Sequence, residues 1–251
     1  MVGQKPVCEV WRLGVTPYEK AWKLQETLAG EVAIRKRPPV LLLLEHNHTY
    51  TFGRRGDPKN LLWSEEELAE RGISLYRVDR GGDITYHGPG QLVGYPIIPL
   101  GRLSSGDKMP SLVDYVGYVR KIEQTLILSL ARFGLACGQI PGKTGVWIQP
   151  DVASRCPSCD PIFKMAPSKI ASIGVKVDVS GVSRHGFALN VSPDKTYWKG
   201  IVPCGLEGVT MASLDDFLDP SPEMPEVMDI VESEFSEVFG YQMAAAGCIP
   251  V

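Results

Sequence analysis

The order of strand-like and helix-like segments constrains the fold of this chain more than any other feature. Runs of branched and aromatic residues predict strands at 40–44, 75–78, 92–98, 146–149, 170–177 and 187–191. Segments with helical spacing fall between them without a strict strand–helix–strand rhythm. We therefore expect an α+β fold, a mixed sheet with flanking helices, rather than a parallel doubly wound sheet.

Two helix starts are indicated by capping signals. Thr16 is followed by a proline and by Glu19, which predicts a helix that begins with a capping box at Thr16. Ser64 and Glu67 form the same pattern and predict a short helix over 64–71.

Two longer helices are predicted from their apolar stripes. One covers 111–133 and the other covers 226–239, and a glycine follows each. The residues expected to face inward are Leu112, Tyr115, Val116, Val119, Ile122, Leu126 and Leu130 in the first, and Val227, Ile230, Val231, Phe235 and Val238 in the second.

The length of 251 residues suits one large domain or two small ones. No internal repeat or long low-complexity linker divides the sequence, so we expect a single domain over 1–251. Residues 150–168 contain four prolines and no clear period. They predict an irregular insertion between two strands.

Composition excludes several classes of function. A net charge of −3 provides no strong positive field for nucleic acid. No apolar run approaches the roughly 18 residues that a membrane-spanning helix needs, and the N-terminus lacks the apolar core of a secretory signal. We expect a cytoplasmic protein that binds neither nucleic acid nor membranes.

The densest chemical signal is the glycine-rich segment RGGDITYHGPGQ at 80–91. Glycines permit close approach of a ligand to the backbone, and free amides in such a turn can bind a carbonyl oxygen or a developing oxyanion. A tight structural hairpin fits the composition equally well. Neither a Walker A nor a GxGxxG motif is present, so phosphate-binding loops of those types are not supported.

Three further segments contain reactive side chains. Lys169 opens the strand KIASIG, Cys204 lies between proline and glycine in IVPCGL, and His185 begins HGFALN. A turn gives a thiolate the access that it needs, and a lysine beside a thiol stabilises the thiolate and can move protons. Taken singly, a solvated lysine, an inert buried cysteine and a structural histidine are the commoner cases.

Cys156 and Cys159 form a CxxC motif within the predicted insertion. The six cysteines are scattered, and a structural zinc site needs four ligands, whereas no second CxxC or HxxxH is present. The pair is therefore only a weak candidate for metal binding, and we expect no metal. A local clasp for the loop is the simpler interpretation.

Together these segments resemble the lipoyl(octanoyl) transferase family, also called lipoate–protein ligase B. The similarity extends from about Val10 to Leu214 in consistent order. The motifs that carry it are RGGDITYHGPGQL at 80–92, TGVWI at 144–148, KIASIGVKV at 169–177, HGFALNV at 185–191 and IVPCGLEGVT at 201–210. The sequence differs from the family pattern in the long 150–168 segment, in the 178–184 turn and in the spacing at 210–214.

The resemblance implies the biotin/lipoate protein ligase fold and an acyltransferase reaction without a cofactor. In that family a cysteine takes an octanoyl chain from acyl carrier protein as a thioester and passes it to a lysine of a lipoyl domain. The resemblance places the nucleophile on Cys204 and its proton partner on Lys169. The substrate-contacting residues that it implies are Arg80, Gly81, Gly82, Asp83, Ile84, Thr85, Tyr86, His87, Ser172, Ile173, Gly174, Gly186, Phe187 and Ala188.

The same resemblance implies the partners. The donor is octanoyl-acyl carrier protein, the acceptors are lipoyl domains of 2-oxoacid dehydrogenase complexes or the glycine cleavage H protein, and the enzyme is expected to act as a monomer. Because these partners tend to be acidic, we expect a basic patch formed by Arg54, Arg55, Lys59 and Arg80. We expect an apolar slot for the acyl chain lined by Ile84, Tyr86, Ile173 and Phe187.

Two alternatives stay open. An ATP-dependent lipoate or biotin ligase on the same fold uses a glycine-rich adenylate-binding motif and no essential cysteine, whereas HGPG and the Pro-Cys-Gly turn favour the transferase. A non-catalytic, zinc-clasped binding module predicts bound zinc and no acyl intermediate.

Overall fold

The computed structural model describes residues 5–101, 114–156 and 159–246. Within these ranges the regular elements are β1 (Val7–Val15), α1 (Tyr18–Ala33), β2 (Val40–Glu45), β3 (Thr49–Phe52), α2 (Glu65–Glu70), β4 (Ser74–Arg77), β5 (Ile84–His87), β6 (Gln91–Ile97), α3 (Tyr115–Arg132), β7 (Gly138–Ile140), β8 (Lys143–Ile148), α4 (Pro150–Ala153), β9 (Ser168–Val177), β10 (Ser183–Asn190), β11 (Thr210–Met211), α5 (Met224–Phe239) and β12 (Gln242–Ala245). No helix in the described part is both long enough and apolar enough to cross a membrane.

The strands of the described residues form two sheets. In the larger sheet the order is β12-β1-β2-β6-β10-β9-β8-β7, with β11 beside β9, and the smaller sheet has the order β4-β3-β5. Strand β1 is parallel to β2 and β12, and β11 is parallel to β9. The other pairs of the larger sheet are antiparallel. The predicted mixed sheet with flanking helices is confirmed.

Helices cover both faces of the larger sheet. In β2, Leu41 and Leu43 join the core cluster that contains α3 and α5, whereas Leu42 and Leu44 join the cluster that contains α1. Successive strand residues point to opposite faces, so a continuous run of leucines is the pattern of a strand buried on both sides.

The two predicted capping boxes have different outcomes. Ser64 and Glu67 form the predicted box at the start of α2. At α1 the prediction is wrong, because the cap residue is Pro17 and no side chain caps the helix. The hydroxyl of Thr16 donates instead to the carbonyl of Leu13 at 3.2 Å.

The buried face of helix α3 begins later in the sequence than predicted. The predicted start at 111 and Leu112 lie outside the described residues. Asp114 caps the helix by accepting a hydrogen bond from the Gly117 amide at 2.7 Å. Tyr115 and Val116 are 53% and 64% exposed, so the prediction that they face inward is wrong.

In α5 the prediction holds closely. The helix covers Met224–Phe239 and ends at Gly240, which has the left-handed φ of 75° that favours glycine. Val227, Val231 and Phe235 are buried as predicted, whereas Ile230 and Val238 are partly exposed.

All six predicted strand segments overlap observed strands, and β9 and β10 form an antiparallel hairpin. The sequence reasoning missed β1, β3, β5, β7, β11 and β12. The 150–168 segment is not wholly irregular, because it contains α4 and a 3-10 turn at Pro161–Lys164. The segment is anchored to the core by Phe163, whose ring packs against Phe217 with 5.2 Å between centroids.

Candidate active site

Cys204 lies in a tight turn with an unusual backbone conformation. Its φ of 57° and ψ of 18° are left-handed, which non-glycine residues adopt rarely and at a cost of about 1–3 kcal/mol. The turn is tethered because the Val202 amide donates to the Asn60 carbonyl at 2.8 Å. Only glycine fits at Gly205, since a Cβ there would lie 2.6 Å from the Asp83 carboxylate. These contacts fix the turn that carries the Cys204 thiol.

Lys169 lies beside this thiol at the start of β9. Its side chain is almost fully buried, with 3% of the residue exposed. The ammonium Nζ is 3.3 Å from Cys204 Sγ and 5.3 Å from the centre of the Trp147 ring. The Oγ of Ser172 is 3.9 Å from the same sulfur. Among the described residues no carboxylate lies within 4.0 Å of Nζ, so the thiol is the polar partner of this cation.

Close packing against β8 fixes the direction of the Lys169 side chain. Gly145 on β8 has a φ of 125°, and a Cβ there would lie 2.6 Å from Lys169 Cε. The buried carboxylate of Glu123, on α3, accepts hydrogen bonds from the Gly145 amide at 3.0 Å and from the Gln139 side chain at 2.7 Å. Sequence reasoning missed Glu123, although a glutamate between buried Ile122 and Leu126 on a helix face was an available signal.

Arg80 is a buried structural residue rather than part of a surface patch. Its guanidinium donates to the Thr51 carbonyl and to Thr51 Oγ1, at 2.5 and 2.8 Å, and to the Gly81 carbonyl at 2.9 Å. Burial lowers its pKa from the usual value. The expectation that Arg80 belongs to an exposed basic patch is corrected, whereas Arg54, Arg55 and Lys59 are exposed.

Asp83 connects the glycine-rich segment to the Cys204 turn. Its carboxylate accepts hydrogen bonds from the amide of Ile84 at 2.6 Å, the amide of Asp57 at 3.1 Å and the side chain of Asn60 at 2.7 Å. The Asn60 carbonyl also accepts a hydrogen bond from the Val202 amide. The Asp83 carboxylate therefore connects the glycine-rich segment and the Cys204 turn beside the thiol.

A cavity of about 480 Å³ opens beside the Lys169–Cys204 pair. Its size is typical of sites that bind small molecules. The predicted site residues that line it are Arg80, Gly81, Gly82, Asp83, Thr85, His87, Ser172, Ile173, Gly174, Gly186, Phe187 and Ala188, together with Cys204 and Lys169.

Two predicted lining residues lie elsewhere. Ile84 and Tyr86 alternate with Thr85 and His87 along β5, so they face the opposite side of the strand. There they join a separate core cluster with Trp198. The expectation that they line the acyl slot is corrected. Lining residues that the sequence reasoning missed are Tyr18, Arg55, Tyr95, Val119, Gly142, Lys143, Thr144, Val175 and Leu206.

His185 also lines the cavity and is held by Asp79. Its Nε2 is 2.8 Å from a carboxylate oxygen of Asp79, which also accepts from Arg184 at 2.6 Å. The hydrogen bond from His185 holds the pKa of Asp79 far below its usual range, and burial lowers the pKa of His185. Nε2 therefore carries the proton, while the buried Nδ1 has no partner among the described residues.

Cys156 and Cys159 form a disulfide bond. This pairing fits the interpretation as a local clasp of the 150–168 segment. Within the described ranges no group of three or more His, Cys, Asp or Glu residues is arranged to hold a metal ion.

Comparison with known proteins identifies the family. The profile of the family described as "Lipoyl protein ligase A/B catalytic domain" matches residues 17–236. The chain belongs to this family. Among curated relatives, an octanoyltransferase from Cytophaga hutchinsonii is 38% identical over 240 residues, which cover 90% of this chain and 90% of the relative. An octanoyltransferase from Chloroflexus aurantiacus is 39% identical over 230 residues, which cover 92% of this chain and 93% of the relative.

Solved structures of lipoyl protein ligases share the fold. A lipoate-protein ligase A bound with ATP has a TM-score of 0.63 at 18% identity, covering 95% of this chain and 89% of that chain. A bipartite lipoate protein ligase from Thermoplasma acidophilum, described with its E2 lipoyl domain, has a TM-score of 0.62 at 18% identity, covering 97% of this chain and 88% of that chain. The fold implied by the resemblance is therefore confirmed.

Proposed function

We propose that this protein transfers an octanoyl group from octanoyl-acyl carrier protein to a lysine of a lipoyl domain, through a thioester on Cys204. The observation that carries the proposal is the 3.3 Å contact between Lys169 Nζ and Cys204 Sγ at the edge of the cavity. The enzyme is an acyltransferase, as are the octanoyltransferases related to it over most of its length. The acceptors are lipoyl domains of 2-oxoacid dehydrogenase complexes or the glycine cleavage H protein.

In the first half-reaction Cys204 accepts the acyl chain. The Lys169 ammonium stabilises the Cys204 thiolate, which attacks the carbonyl carbon of the donor thioester. A new carbon–sulfur bond forms, and the bond to the carrier's thiol breaks. Lys169 gives its proton to the leaving thiolate and becomes neutral.

The second half-reaction returns the enzyme to its starting state. Neutral Lys169 accepts a proton from the incoming lysine amine, which attacks the Cys204 thioester. An amide forms, and Cys204 leaves as a thiolate beside the restored ammonium. Both steps exchange an acyl group that is already activated as a thioester, so the chemistry consumes no ATP.

Backbone amides are available for the oxyanion that forms in each step. The amides of Gly82 and of Cys204 itself donate to no other group among the described residues. Gly82 lines the cavity, and Cys204 supplies the attacking atom. Two such donors aimed at the developing charge are the usual means of stabilising a tetrahedral intermediate.

Mass spectrometry of the intact protein tests the proposal. Incubation with octanoyl-carrier protein, without ATP or added metal, should increase the mass by one octanoyl group, and addition of a lipoyl domain should remove it. An acyl group that reaches the lipoyl domain only when ATP is present would favour an ATP-dependent ligase. Stoichiometric zinc without any acyl adduct would favour a binding module.

Two exposed cations at the cavity suit an acidic donor protein. Arg55 and Lys143 both line the cavity, and neither lies within 4.0 Å of a carboxylate of the described residues. We expect Arg55→Ala and Lys143→Ala each to raise the KM for octanoyl-carrier protein by about threefold to tenfold at low salt, because unlike charges speed association. Steady-state kinetics at two salt concentrations measures this.

The matched control removes a charge elsewhere. Lys20 is exposed on α1 and does not line the cavity, so Lys20→Ala should leave the KM unchanged. With octanoyl-pantetheine, which lacks the carrier protein, all three variants should resemble the parent. An equal effect of the three substitutions would contradict a local role of Arg55 and Lys143.

A further inference from the structure

Two walls of the cavity extend away from Cys204 along known strand registers. Ser172, whose hydroxyl is 3.9 Å from the thiol, pairs with Ala188 across β9 and β10. Three residues farther along β9, Val175 pairs with His185. A strand rises about 3.3 Å per residue, so His185 lies about 10 Å beyond the level of the thiol.

The second wall is strand β5, and along it a histidine lies at a similar distance from the nucleophile. Asp83 lies against Gly205, next to the nucleophile, and His87 follows four residues later. The same rise places His87 about 13 Å from the level of Asp83. Both walls therefore end in a histidine at the inner end of the cavity.

Two tyrosines join these histidines. The Tyr18 ring stacks on His87 with 6.0 Å between centroids, and the Tyr95 ring meets His185 edge-on at 6.4 Å. All four residues line the cavity and are at most 6% exposed. We call Tyr18, His87, Tyr95 and His185 the polar end wall.

The polar end wall retains polar atoms that an alkyl chain cannot satisfy. Gln91 donates through Nε2 to Asn190 at 2.9 Å, so its Oε1 accepts the proton of His87 Nδ1 at 2.8 Å. This leaves His87 Nε2 as a bare acceptor. His185 Nδ1 is likewise without a partner among the described residues. Burial lowers the pKa of both histidines, which keeps them neutral.

Little side-chain bulk lies along the cavity before this wall. Ala188 is level with the thiol, and the pair Gly174 and Gly186 lies between that level and His185. An extended octanoyl chain has seven carbon–carbon bonds of ~1.5 Å in a zigzag and so spans about 9 Å. This length matches the distance of about 10 Å along β9 from the level of the thiol to the polar end wall.

We propose that the polar end wall is the chain-length stop of the enzyme. Carbons beyond the eighth would have to press against the buried rings of this wall and cover the free Nε2 of His87, which would leave that acceptor without a hydrogen bond, and this is costly. Shorter chains would make fewer contacts along the cavity. This inference rests on the proposed function, because it concerns the acyl chain bound to Cys204.

Substitutions of Tyr18 test the stop. Tyr18→Phe removes only the hydroxyl, and Tyr18→Leu also shortens the side chain. Rates of acyl-enzyme formation would be measured by mass spectrometry with hexanoyl-, octanoyl-, decanoyl- and dodecanoyl-carrier protein. We expect the decanoyl-to-octanoyl rate ratio to rise by a few-fold in Tyr18→Phe and by about tenfold in Tyr18→Leu, as is usual when a pocket gains room for one or two methylenes.

Tyr118→Phe is the matched control, because Tyr118 is buried in the α3 core and does not line the cavity. Its ratio should equal that of the parent. Unchanged ratios in both Tyr18 variants would overturn the stop. If those variants do not fold, the unsubstituted enzyme provides the test. Equal rates of acyl-enzyme formation with octanoyl and decanoyl donors would overturn the proposed chain-length stop. Absence of any acyl adduct on the parent would instead refute the proposed function.

Discussion

Replacing Cys204 with alanine should abolish octanoyl transfer, with a loss on the order of 10⁴-fold or more, because the substitution removes the sulfur on which the acyl-enzyme forms. Cys204→Ser should fall almost as far, since a hydroxyl beside a lysine ammonium is a far weaker nucleophile than a thiolate. Transfer to a lipoyl domain would be followed by mass spectrometry of that domain.

The other free thiols of the described residues, Cys8 and Cys137, provide the control for this prediction. Burial raises the pKa of Cys8 and of Cys137 to about 12, so both remain protonated near neutral pH. Cys137→Ser should therefore retain transfer and the acyl adduct. Full transfer by the Cys204→Ser variant would show that the reaction does not pass through this thiol.

Replacing Lys169 with methionine should lower the transfer rate by about 10²- to 10⁴-fold, the usual contribution of a positioned proton donor and acceptor. Methionine keeps a long unbranched side chain against Gly145 and Trp147, so the packing changes little. The loss of the cation should also move alkylation of Cys204 by iodoacetamide toward higher pH. An unchanged alkylation profile would remove Lys169 from this role.

A second substitution separates the two roles of Lys169. Arginine keeps the positive charge but does not give up its proton near neutral pH. Lys169→Arg should therefore preserve more of the low-pH alkylation than Lys169→Met, yet still fail to pass the acyl group to a lipoyl domain. Equal transfer by the arginine variant and the parent would argue against proton exchange at this position.

The sequence predicted those parts of the fold that depend on local patterns. The leucines of β2 and the stripe of α5 identify elements whose burial follows directly from spacing. Strand β5 was missed because its four residues lie inside a glycine-rich segment and are stabilised by pairing with β3, a long-range contact. The cap at Thr16 failed because its hydroxyl found a backbone partner outside the helix.

The residues of the candidate site likewise fall into those that local motifs indicate and those that only tertiary packing brings together. The motifs indicated Cys204 and Lys169, which are 35 residues apart and in contact in the structure. Glu123 and Tyr18 come from helices far away in sequence, and only tertiary packing brings them to Gly145 and to His87. No local pattern could have assigned Ile84 and Tyr86 to the far side of β5, because that requires the position of the cavity.

The cavity has walls from both sheets, since β5 belongs to the smaller sheet and β9 and β10 belong to the larger. The amide of Gly81 donates to the Val175 carbonyl at 3.0 Å across this junction. An acyl chain on Cys204 that lies between the walls would contact both sheets at once, and a ligand that binds only the folded state stabilises it. The acylated enzyme should therefore unfold at a higher temperature than the free enzyme.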